Sequence, residues 1–88
     1  MSISLHIAKV YDIQYADTTA ANGSMDVDDL IEFLEENAGA DVSEDRNTIE
    51  ISRKSLERLV DDEVHGEAIR KMLRESDQRK PYIHLEVF

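Results

Sequence analysis

The chain has 88 residues, no cysteine, and 20 acidic against 10 basic side chains, a formal net charge of −10. That length supports one domain, residues 1–88, with a small core burying roughly 60–65% of the unfolded surface. The missing thiols exclude disulfides and thiolate metal sites, and so acidic a surface argues against direct nucleic-acid or membrane binding. The charge is uneven: from Met1 to Asp45 there are eleven acidic residues and one basic residue, Lys9, whereas from Arg46 to Phe88 the two signs balance at nine each. Hydrophobic content is 41%, too high and too periodic for a disordered chain. The N-terminus lacks a basic region followed by an apolar run, so no signal peptide is expected. Apolar runs stop at two or three residues, too short for a membrane span, and the expected location is the cytoplasm.

Ile3, Leu5 and Ile7 alternate with polar or small residues, and Tyr11, Ile13 and Tyr15 continue the odd-numbered face. A period of two predicts a strand with one buried face. At about 3.3 Å per residue, Ile3–Tyr15 would span roughly 40 Å, so a bulge or bend is expected near Lys9–Tyr11. A loop follows through Thr18, Thr19, Asn22 and Gly23. Ser24 or Asp26 is then placed to cap a helix whose stripe is Val27, Leu30, Ile31 and Leu34. Asn37 and Gly39 mark its end.

Asp41–Asn47 reads as a polar connection and Thr48–Ser52 as a short strand with Ile49 and Ile51 inward. Ser52 can cap a second helix with a stripe of Leu56, Leu59, Val60 and Val64. A break at His65–Gly66 is favoured, because an interior glycine costs about 1 kcal/mol relative to alanine, and the pattern resumes at Ala68, Ile69, Met72 and Leu73. Pro81 starts a last strand with Ile83, Leu85 and Val87 on one face. The expected fold is α+β: a small three-stranded sheet in the order β-α-β-α(α)-β, with helices packed on one face.

No motif names a reaction, and no cofactor is implied. Several constellations are candidates for function. Asp28, Asp29, Glu32, Glu35 and Glu36 lie off the apolar stripe of the first helix, with Asp28, Glu32 and Glu36 stacked four apart. Such like-charge spacing costs a few tenths of a kcal/mol per pair, which favours a partner with a basic surface over a solvated helix face only if something binds there. Five carboxylates over nine residues give about one charge per 2.7 Å of helix axis. A DNA strand carries a phosphate per about 3.4 Å, so nucleic-acid mimicry is the alternative reading. Tyr82, His84 and Phe88 alternate opposite the core face of the last strand and form a second candidate surface, for a partner or for a second copy of the chain.

Three further features carry less. Asn22, Gly23, Asp26 and Asp29 match the later positions of an EF-hand loop, but Thr18 and Ala20 stand where the motif needs Asp or Asn. His6, His84 and Glu86 can approach one another if the terminal strands pair, yet His65 belongs elsewhere, so no metal site is expected. The run Arg70, Lys71, Arg74, Arg79 and Lys80 is too mixed with acids for a nucleic-acid footprint. Carboxylates are plentiful enough that acid–base catalysis stays open. The reading that follows is a non-enzymatic interaction module, steered by the acidic helix and anchored by apolar residues of the sheet.

Overall fold

The computed structural model describes residues 3–10 and 14–88. Alternation in Ser4–Val10 makes β1, which sends Leu5 and Ile7 fully into the core. The long strand expected from Ile3 to Tyr15 is two strands: β2, Gln14–Tyr15, turns back antiparallel on β1 with Ala8 opposite Tyr15. A strand of roughly 40 Å would overrun a molecule whose longest dimension is 32 Å. The register shifts between Ala8 and Val10, within the stretch where the bend is expected. The proposed inward places of Tyr11 and Ile13 lie outside the described residues.

The loop after β2 contains β3, Ala21–Asn22, which pairs with β1 at Ser4 and Leu5. Helix α1, Ser24–Ala38, buries Val27, Leu30, Ile31, Leu34 and Ala38. Neither Ser24 nor Asp26 caps it. Gly23 takes the cap position with φ 87°, and among the described residues there is no side-chain cap hydrogen bond. Gly39 ends the helix in the left-handed region, φ 63°, and its N–H donates to the Leu34 carbonyl, which only glycine does without steric cost.

The polar connection after α1 holds another short strand, β4, Asp41–Val42, which pairs with β5, Thr48–Ser52. Helix α2, Arg53–Glu57, is a single short turn rather than the expected stripe. Leu56 is buried and Leu59 and Val60 are half-buried, but Val64 is 78% exposed. The Asp62 carboxylate accepts the N–H groups of Val64 (3.1 Å) and His65 (2.8 Å), and its carbonyl accepts the Gly66 N–H at 2.9 Å. The two carboxylate bonds compete with helix continuation, so the chain turns where the periodicity alone would carry it on. Helix α3, Gly66–Glu75, then buries Ile69 and Met72.

Strand β6, Tyr82–Val87, runs antiparallel between β1 and β5, with Ile7 opposite Leu85 and Ile51 opposite Ile83. Pro81 precedes the strand and its carbonyl accepts the Arg53 N–H at 3.0 Å. The sheet order is β2-β1-β6-β5-β4, with β3 beside β1. Among the described residues it therefore has six strands rather than three, and the chain order is β-β-β-α-β-β-α-α-β. The three unexpected strands are two residues long and carry no measurable period. Leu5, Ile7, Ile49, Ile51, Ile83 and Leu85 form one cluster with the buried residues of all three helices. Burying each such side chain fully contributes about 1.5–3 kcal/mol.

Arg53 ties the helical layer to the sheet. Its guanidinium donates to the carbonyls of Leu73 (3.2 Å), Asp77 (2.8 Å) and Lys80 (3.1 Å) and to the Ser76 hydroxyl (3.1 Å). The end of α3 and the connection into β6 thus find donors for carbonyls a helix terminus leaves orphaned.

Candidate functional site

Because α1 turns its apolar stripe to the sheet, all five of its candidate carboxylates face solvent. Two have partners. Glu35 lies 3.4 Å from Arg46, which the β4–β5 turn presents with φ 58°. Asp29 lies 3.4 Å from Nε2 of His65, whose ring packs on Phe33 at 4.3 Å between centroids. Asp28, Glu32 and Glu36, one above the other, have no ion-pair partner within 4 Å among the described residues. Exposed pairs of this kind contribute about 0–1 kcal/mol, so the ridge is shaped by charge far more than the fold is held by it.

Tyr82, His84 and Phe88 occupy the sheet face away from the helices, as the alternation requires. Two residues join them: His6, which the pairing of the terminal strands brings to this face as expected, and Tyr15, which the sequence placed on the other face. Phe88 stacks on His6 with ring centroids 3.7 Å apart and planes 6° from parallel, and Tyr15 meets both rings edge-on. Tyr15 belongs to this open face and not to the core face, because the reversal into β2 changes its parity. The polar atoms largely serve one another. The Tyr15 hydroxyl donates to Glu86 at 2.8 Å, and His84 sits 3.3 Å from Glu86 and 4.0 Å from Glu50. A shallow depression of about 230 Å³ lies beside them, lined by Ala8, Glu50, Asp77, Lys80, Tyr82 and His84.

The sheet separates these two candidate surfaces. The carboxylates sit on the outer side of the helical layer and the aromatic cluster on the opposite side of the sheet. The two candidate surfaces are therefore separate places in the fold.

The loop resembling half an EF-hand is a turn. The Asn22 side-chain carbonyl accepts the hydroxyls of Ser4 (2.7 Å) and Thr19 (2.8 Å), which occupies the oxygen a cation would need. Among the described residues no three His, Asp or Glu side chains are grouped to hold a metal ion. The basic run is used within the chain. Arg70 donates to the Val60 carbonyl, Lys71 to the Thr19 carbonyl at 3.3 Å, Arg74 pairs with Glu75 and Arg79 with Asp77. Arg79 holds the Asp77 carboxyl below its usual range through side-chain and backbone hydrogen bonds. The Ser43 hydroxyl, followed by the Asn47 N–H, does the same for Asp45 in the β4–β5 turn.

Among the described residues no helix is long and apolar enough to cross a membrane. Comparison with protein-family models, curated proteins and solved structures finds no match for the chain.

Proposed function

We propose that the chain is a small acidic protein-interaction or regulatory module, without enzymatic activity, that binds a basic protein surface through α1. The observation that supports this is the ridge of Asp28, Glu32 and Glu36, three stacked carboxylates with no cation within 4 Å among the described residues. Their mutual repulsion costs a few tenths of a kcal/mol per pair in the free protein. Lysines or arginines of a partner remove that cost and steer encounter at long range.

The test uses the intact protein and a variant with Asp28, Glu32 and Glu36 all replaced by serine as baits in native lysate at low salt. The wild type is expected to retain basic proteins that moderate salt releases, and the variant is expected to lose them while keeping its melting temperature. Recovery of the same proteins by both baits would reduce the ridge to a solvated surface.

A further inference from the structure

The two most exposed apolar side chains described lie beside the acidic ridge. Met25, in the first turn of α1, is 85% exposed, and Val64, just before α3, is 78% exposed. Between the N-terminal ends of these helices is a groove of about 280 Å³ lined by Ala20, Ala21, Leu30, Val64 and Ala68, with His65 in its wall. Asp26 and Asp29, both exposed, line it as well. Three of the apolar residues are alanines, and their small side chains leave the space open. The volume falls just below the roughly 300–1,000 Å³ of small-molecule sites and suits an anchor side chain better.

Groove and ridge form one continuous surface. At 3.6 residues per turn, Met25, Asp29, Glu32 and Glu36 fall within about 60° of one another around α1. Asp29 therefore belongs to the wall of the groove and to the top of the ridge. The aromatic cluster of the open sheet face lacks this continuity: it lies across the sheet, and its Tyr15, Glu86 and His84 already serve one another.

We infer that the groove between α1 and α3 receives an aliphatic side chain from a basic segment of a partner protein, whose lysines and arginines lie along Asp29, Glu32 and Glu36. The inference rests on the reading of α1 as the face for a basic partner and adds the apolar anchor that charge alone does not supply. Carboxylates on the groove wall select against acidic segments, and the alanine floor leaves room for a branched aliphatic side chain.

The probes are two short lysine- and arginine-rich synthetic peptides of equal charge, one with a central leucine and one with serine in its place. Fluorescence anisotropy at low salt reads affinity, and amide chemical shifts read location. The leucine peptide is expected to bind about tenfold more tightly, the scale of burying one aliphatic side chain, and to shift Met25, Val64, His65 and Ala68. Val64→Asp, at an exposed position, is expected to erase the preference for leucine without lowering the melting temperature. Equal binding of the two peptides, with shifts confined to Asp28–Glu36, would overturn the groove and leave the acidic ridge standing. Shifts centred on His84 and Phe88 would overturn the groove in favour of the sheet face. Failure of both peptides to bind would remove the ridge and the groove together.

Discussion

Replacing Gly66 by alanine should destabilise the protein although the residue opens a helix. An ideal Cβ on Gly66 would lie 2.7 Å from the Val60 carbonyl oxygen and 3.2 Å from Nη1 of Arg70. Carbon–oxygen contacts settle at about 3.3–3.6 Å, so the carbonyl would have to retreat by about 0.6 Å. That oxygen belongs to backbone and accepts the Arg70 guanidinium. A hydrogen bond to a charged group contributes about 1.5–3 kcal/mol, and exposure of Arg70 puts this one at the lower end. Alanine returns at most about 1 kcal/mol of helix propensity, less at the first position. The balance is a loss of about 0.5–1.5 kcal/mol. A domain of this size changes by about 4–8 °C per kcal/mol, so a circular-dichroism melt should show a fall on the order of 2–12 °C. In an Arg70→Met background the same substitution should cost less, because the bond is already gone. A melting temperature equal to or above wild type would show that the Val60–Gly66 approach does not constrain the chain.

Leu85→Ala should cost about 2–5 kcal/mol, since Leu85 is fully buried in the strand flanked by both β1 and β5; a urea midpoint close to wild type would place it outside the core. Deleting 82–88 should leave no cooperative transition at all, and a retained melting temperature would contradict the central position of β6. Asp77 titrates below its ordinary range in the folded state, so its stabilising contribution is present above the unfolded carboxylate pKa of about 4 and is lost as pH falls through the lower folded value. Asp77→Asn should therefore lower the melting temperature at neutral pH and flatten its dependence on acid below about pH 4; a wild-type acid profile in the variant would refute the Arg79 contact as its source.

Periodicity made the core legible. Leu5, Ile7, Val27, Leu30, Ile31, Leu34, Ile49, Ile51, Leu56, Ile69, Met72, Ile83 and Leu85 stand where the periods of two and 3.6 put them, and all are buried. What escaped depends on contacts distant in sequence or on very short elements. Strands β2, β3 and β4 exist because β1 and β5 offer them an edge. Tyr15 changes face because the chain reverses before it, a reversal that a strand longer than the molecule already demanded. Val64 fits a helical stripe in register with Leu56 and Val60, but Asp62 draws the local N–H groups to its own carboxylate. Exposure of the five α1 acids followed from the stripe. The partners of Asp29 and Glu35 did not, because His65 and Arg46 reach them through a turn and a hairpin.

The place of β6 sets the order in which the molecule can assemble. It follows every other element in the chain, yet it separates β1 from β5, with Leu5 opposite Val87 and Ile49 opposite Leu85. At a synthesis rate of about 5–20 residues per second, β1 waits on the order of 4–16 s for the strand it must pair with. During that interval α1 can form from local contacts, while β1 and the β4–β5 hairpin each keep a bare edge. Closing so long a span carries a large loop entropy before any long-range contact repays it. Insertion of β6 between its two flanking strands is therefore the natural rate-limiting event. Until it occurs, the nascent chain has its acidic charge exposed but not its finished core, and the same repulsion that shapes the surface of the folded protein keeps its unfinished copies apart.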